Sequence, residues 1–196
     1  MIALFGGSFD PVHIGHIKII EKAVKHYNLE KAKFIPAYQS KLKKDCHASA
    51  EHRVRMLGLA IKNKPFLEIS DYEIRTRNSY TINTIKHFKK KLKQNPVFII
   101  GTDALLELSS WKSPSELLKK TEFIIIKRNH DTETQIREYL TQKFPNTDST
   151  KIHFLNLKTI NISSTMIRHR IKKGKSIKHL VPPGVDEYIK ENKLYI

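Results

Sequence analysis

Strand-sized apolar runs alternate with stretches of helical periodicity along most of this chain, and that alternation limits its fold more than any other feature. Ile2–Phe5, Phe34-Ile35, Leu67–Ser70, Val97–Ile100, Phe123–Ile126 and Ile152–Leu155 read as strands. Between the first two, Ile14, Ile17, Ile20, Ala23, Val24 and Tyr27 recur at helical spacing. Val54, Leu57, Ala60 and Ile61 mark one face of a second helix, after a polar loop from Ala37 to about Ala50. Ile82–Leu92 and Ile136–Phe144 read as helices, with short ones near Leu105, Leu108 and Leu117-Leu118. The chain closes on helices around Met166–Ile171 and Val185–Ile189, split by Pro182-Pro183-Gly184. This order predicts an α/β, Rossmann-like fold: a mostly parallel sheet with helices on both faces. The length predicts one domain over 1–196, with a helical portion from about 163. Ligands of such sheets sit at the carboxyl ends of the strands, so the chemistry should lie just after them.

Composition narrows the class. No apolar run approaches the ~20 residues of a membrane-spanning helix. The opening residues carry no basic stretch of the secretory kind, which predicts a cytoplasmic protein with no membrane partner. Cys46 is the single Cys and reads as a free thiol; no Cys/His spacing resembles a zinc site. The formal charge of +17 implies an anionic partner or a cell with a basic proteome, without deciding between them. Two basic clusters stand out, Lys86–Lys93 and Arg168–Lys178. The first reads as a solvated helix face.

The expected site residues do follow strands. Behind the first comes Gly6-Gly7-Ser8-Phe9-Asp10-Pro11-Val12-His13-Ile14-Gly15-His16. The glycines allow an anion close to the backbone, and the next helix offers unpaired N–H groups and a positive dipole end. His13 and His16, three residues apart, can face one bound group from the first turn. The loop is neither G-x-G-x-x-G nor the G-x-x-x-x-G-K-[ST] phosphate loop, which disfavours a dehydrogenase-type site and a P-loop ATPase. A plain surface pair or a metal pair remains the alternative, the latter short of a third ligand.

Gly6–His16 resembles the H-x-G-H signature of the nucleotidylyltransferases, and Ile162-Ser163-Ser164-Thr165-Met166-Ile167-Arg168 resembles their second signature. Ser79-Tyr80-Thr81, Gly101-Thr102-Asp103, Trp111, Leu180-Val181-Pro182 and Tyr188-Ile189 look like the bacterial nicotinate-nucleotide adenylyltransferase family. The resemblance implies transfer of AMP from ATP to nicotinate mononucleotide, giving deamido-NAD and pyrophosphate, with Mg²⁺ carried by the phosphates and no protein metal ligand. The implied step is direct in-line attack, in which the protein supplies position and charge stabilisation. His13, His16 and Arg168 would be the catalytic residues. The ATP side would comprise Gly7, Ser8, Phe9, His13, His16, Gly101, Asp103, Ser163, Ser164 and Arg168. Ser163 or Ser164 would cap the late helix, Arg168 would add a fork of donors to the phosphates, and Gly174 would stop that helix. Asp103 would accept from ribose hydroxyls, or cap a helix from Ala104 to Leu108. On the mononucleotide side stand Lys43, Tyr80, Thr81 and Trp111. Trp111 would stack on the pyridine ring, unless it is a core Trp. Tyr80 and Thr81 would offer backbone N–H groups to the ring's carboxylate.

Two stretches depart from the family pattern. Ser40-Lys41-Leu42-Lys43 stands where Pro-Pro-His-Lys is usual, and Arg128-Asn129-His130 where R-x-G is usual. The nearest rival is pantetheine-phosphate adenylyltransferase; those chains are usually shorter and replace the first motif His by Thr. A rival of another class is a non-catalytic nucleic-acid-binding protein. The aromatic residues sit mostly in apolar periodic segments and no such module appears, so no nucleic-acid partner is expected.

Overall fold

The computed structural model describes residues 1–38, 46–127, 132–157 and 161–196. In chain order its principal elements begin with β1 (Ile2–Gly7), α1 (Ile14–His26), β2 (Lys31–Pro36), α2 (Ala50–Ile61), β3 (Leu67–Ile69), α3 (Tyr72–Arg75) and α4 (Thr81–Leu92). They continue with β4 (Val97–Gly101), α5 (Thr102–Leu106), α6 (Pro114–Lys120), β5 (Glu122–Lys127), α7 (Glu133–Lys143), β6 (Ile152–Asn156), α8 (Ser164–Lys172) and α9 (Val185–Glu191). The strands form one sheet in the order β3-β2-β1-β4-β5-β6, and every described pairing is parallel.

Both faces of the sheet are covered, which is why the central strands are apolar at successive positions. Ala3, Phe5, Phe34, Ile99, Ile124 and Ile126 point to one core, shared with α1, α2, α8 and α9. Leu4, Ile35, Phe98, Ile100, Phe123 and Ile125 point to the other, under α4, α6 and α7. The period of two along each strand thus divides one apolar run between two cores.

Three expectations shift. β2 is longer than Phe34-Ile35, because Lys31 and Lys33 both pair across to Glu68 on β3 and a polar edge is thereby tolerated. The buried face of α2 carries Arg53, Met56, Leu57 and Ala60, while Val54 and Ile61 are only partly covered. The short helix after β4 begins at Thr102 with Gly101 as its N-cap, so Asp103 lies in the first turn and is not the cap.

Chain ends meet the start of the sheet. Asp10, just past β1, is 3% exposed. Its Oδ2 accepts the His47 N–H at 2.7 Å; its Oδ1 accepts the Ala48 N–H at 3.1 Å and the Tyr195 hydroxyl at 2.7 Å. Tyr195 itself is held at φ 68°, a left-handed conformation that a non-glycine residue adopts at some cost. Tyr195→Phe should therefore destabilise the fold by about 1–3 kcal/mol, the cost of removing a donor from a buried carboxylate. Urea unfolding of the two proteins measures this, and an unchanged midpoint would contradict it.

Candidate active site

A cavity of about 730 Å³ opens at the carboxyl ends of β1, β4 and β5. It lies where β1 and β4 are neighbours and the strand order reverses, the place where a doubly wound sheet leaves a crevice. Gly6, Gly7, Ser8, Phe9, His13 and His16 line one side. At Gly7 a Cβ would come within 2.9 Å of the Phe9 ring, so only glycine lets the loop fold back this tightly.

His13 is the N-cap of α1 and His16 its third residue. Their rings stack with centroids 3.6 Å apart and planes at 25°. The His13 N–H donates to His16 Nδ1 at 3.2 Å, which puts the proton of a neutral His16 ring on Nε2. Phe5 and Phe9 pack against His16. His13 is buried, with Nδ1 lacking a partner among the described residues. That burial pushes its pKa down to about 4, so it stands as a neutral imidazole.

The second signature arrives from the far end of the sequence. Ser163 caps α8, its hydroxyl accepting the Met166 N–H at 3.1 Å, so of the two serines Ser163 is the cap. Ser164 instead donates to the Pro11 carbonyl at 2.9 Å. Both serines line the cavity. Arg168 donates to the Asp10 carbonyl at 2.7 Å and to Thr165 Oγ1 at 3.2 Å. The structure thus has Arg168 fastening α8 to the first loop, outside the cavity wall, with its fork engaged at two points by protein. Gly174 ends α8 at φ 64°, with its N–H on the Ile171 carbonyl and the Lys175 N–H on the Arg170 carbonyl. The Lys89–Lys91 run lies exposed on α4, a solvated face as anticipated.

Tyr80, Thr81, Gly101, Trp111 and Lys112 line the same cavity. Trp111 packs edge-on to Phe98 and also lines the cavity, so it serves the core and the site together. Lys112 Nζ stands 4.5 Å from the centroid of the Tyr80 ring. One expectation needs correction: the Tyr80 N–H is not left for a ligand, since it donates to Asn78 Oδ1 at 3.0 Å. Asp103 is exposed and stands outside the cavity wall. Lys43 and the departures at 40–42 and 128–130 lie outside the described residues.

Two buried charges at this site were not anticipated. Arg53 is 1% exposed and ties the Ser8 carbonyl at 2.8 Å to the Tyr38 carbonyl at 3.3 Å. Its spacing ahead of Met56, Leu57 and Ala60 was the available signal. Glu73, on α3, lines the cavity, and burial raises its pKa to about 7. A four-residue helix has too little periodicity to announce itself.

Against known proteins, the family model described as cytidylyltransferase-like matches residues 4–170. A Hydrogenobaculum protein named probable nicotinate-nucleotide adenylyltransferase is 40% identical, over 99% of this chain and 97% of its own. A Clostridium acetobutylicum protein of the same name is 36% identical, over 99% and 98%. The chain belongs to the nicotinate-nucleotide adenylyltransferase family. The fold agrees: the Plasmodium falciparum nicotinic acid mononucleotide adenylyltransferase solved with NaAD superposes with a TM-score of 0.81 at 24% identity, covering 99% of this chain and 96% of that one. Both signatures of this adenylyltransferase chain, more than 140 residues apart, meet on one cavity.

The buried His13 makes stability depend on pH. Its pKa is about 4 when folded against 6.5 ordinarily, so between those values the unfolded chain binds more protons. Stability is then fully present above about pH 6.5 and is lost as pH falls toward 4. Glu73 carries the opposite sign, since its folded pKa is raised from 4.5 to about 7 and it loses stability as pH rises through that window. His13→Gln should therefore lose about 2 kcal/mol less stability than the natural chain between about pH 7 and about pH 4.5. Denaturant melts at the two pH values test it; parallel losses would contradict the burial argument.

Proposed function

We propose that this protein transfers AMP from ATP to nicotinate mononucleotide, giving deamido-NAD and pyrophosphate. The observation that carries this reading is the convergence of the H-x-G-H loop and the α8 N-terminus on one side of a cavity whose other wall is aromatic. Such a site holds a triphosphate by donors and a planar ring by stacking. The full-length likeness to relatives of that name supports the choice of acceptor.

An oxygen of the mononucleotide's phosphate attacks the α-phosphorus of ATP. The new P–O bond forms as the bond to the β-phosphate oxygen breaks, and pyrophosphate leaves with the electron pair. No protein nucleophile is required. Gly7, Ser8 and Phe9 offer the turn against which the nucleotide lies, with Gly101 toward ribose and adenine, and Asp103, exposed beyond the cavity wall, would take part only if the ribose reaches the cavity mouth. His16, protonated at Nε2, donates to the triphosphate, and this bond strengthens as charge builds. His13, neutral in the free protein, adds a second donor from a ring stacked on the first. Ser163, Ser164 and the α8 N-terminus receive the β- and γ-phosphates. Arg168 keeps that terminus against the loop, and so positions the donors that meet the phosphates. Trp111 stacks on the pyridine ring, and Tyr80, Thr81 and Lys43 bind the mononucleotide.

Among the described residues no cluster of three or more His, Cys, Asp or Glu is suited to a metal, and the Asp10 carboxylate is already filled by two N–H groups and a hydroxyl. A magnesium ion held by the phosphate oxygens of ATP would draw off charge from the leaving pyrophosphate. No described helix is long and apolar enough to cross a membrane. A consumer of ATP in NAD biosynthesis belongs in the cytoplasm.

The decisive assay offers ATP and Mg²⁺ with a panel of phosphorylated acceptors and follows pyrophosphate release. Nicotinate mononucleotide should be used best. On this reading its carboxylate would meet the positive end of the twelve-residue α4, which begins at Thr81 on the cavity wall. A charge–dipole contact of this kind favours acid over amide by on the order of tenfold in kcat/KM. A preference for the amide, or for phosphopantetheine, would overturn the assignment. His16→Ala should lower kcat by about 10²–10³ while changing ATP affinity far less. Equal losses in both would remove the transition-state role.

A further inference from the structure

We infer that Glu73 is a positioning residue that sets the acceptor wall of the cavity by bracing the Tyr80-Thr81 turn from both flanks. Before the turn, the Asn78 N–H donates to the Glu73 carbonyl at 3.0 Å, and the Ser79 hydroxyl bonds to the Glu73 carboxylate. After it, Thr84 Oγ1 donates to Glu73 Oε1 at 2.6 Å. Tyr80 and Thr81 are thus suspended between contacts to a single residue. The brace extends to the next strand, because Ser79 Oγ also accepts the Tyr38 N–H at 2.9 Å, two residues past β2.

A carboxylate in this place needs a reason. Glu73 is 6% exposed, and Thr84 beside it is fully buried. Burying a carboxyl is costly, and an apolar residue of similar size would pack the gap between α3 and α4 without that cost. What an apolar residue would not do is accept two hydroxyl donors at once and fix their directions. Geometry at a binding wall is worth such an expense, because small misplacements of positioning groups cost large factors in use of the substrate. The ATP side has ties of its own through Asp10, Arg53 and Arg168, and meets this brace at Tyr38, whose carbonyl accepts from Arg53.

This inference rests on the acceptor reading above, and the test separates the two. ATP and nicotinate mononucleotide are varied in turn for Glu73→Ala, Glu73→Gln, Ser79→Ala and Thr84→Val. Glu73→Ala should raise the KM for the mononucleotide about tenfold or more and leave that for ATP within about twofold. Glu73→Gln, which keeps one acceptor oxygen, should recover part of the loss. Ser79→Ala and Thr84→Val each remove one strut and should move the same constant in the same direction by less. They carry the test if Glu73→Ala does not fold. Trp111, the single Trp, gives a second readout by fluorescence titration with mononucleotide alone. An unchanged mononucleotide KM in all four variants, or equal rises for both substrates, would overturn the brace while leaving the function standing. A natural chain that neither binds nor uses the mononucleotide would remove the function and the brace together.

Discussion

The carboxylate of Asp10 is the joint on which the site depends. Two oxygens of one buried side chain collect donors from the His47 and Ala48 backbone and from Tyr195, while the carbonyl of the same residue takes Arg168. An unpaired buried carboxylate would be strongly destabilising, so each donor is held as firmly as it holds. The loop from β1 to α1 has little apolar content of its own between Phe9 and Val12. Its shape comes from this convergence, and the stacked His13 and His16 inherit that shape. Burial of the Tyr195 hydroxyl beside a carboxylate pushes its pKa up, so the donor stays protonated at any working pH.

The sheet supplies the place and the polar ties supply the precision. Parallel strands end together on one side, so the turns after β1, β4 and β5 surround a single crevice. Packing alone would leave the connecting loops free to choose among several conformations. Arg53, Ser164 and Arg168 remove that choice by bonding to main-chain carbonyls at Ser8, Pro11, Tyr38 and Asp10. Guanidinium and hydroxyl donors suit this work, since carbonyls in loops are the groups most often left without a partner.

Local signals were legible in the sequence, and distant pairings were not. The central strands showed as short apolar runs because both their faces are covered, while the edge strands β3 and β6 showed only through a few apolar residues. The Ser163 cap and the Gly174 stop are contacts within a few residues, so residue type and position announced α8. The site loop was visible through its glycines and paired histidines. Arg168 was legible as a member of a signature, but its bond to Asp10 crosses 158 positions and left no local trace. The Tyr80 N–H differs for another reason: the side chain of Asn78, two residues earlier, reaches forward to accept it in a local turn. Glu73 and Arg53 escaped because a charge at a core position reads as an exposed one until its partners are known.

The contacts that close the loop after β1 span 153, 158 and 185 positions. A chain growing from its N-terminus displays His13 and His16 early, yet the groups that hold them in place emerge last. The first strands can pair while synthesis continues, but the nucleotide crevice has no counterpart to Ser164 or Tyr195 until the ribosome has delivered them. Contacts of such high sequence separation are entropically slow to form. The site cannot close before α8 and Tyr195 have emerged, and a chain stalled short of them holds the motif without the groups that brace it.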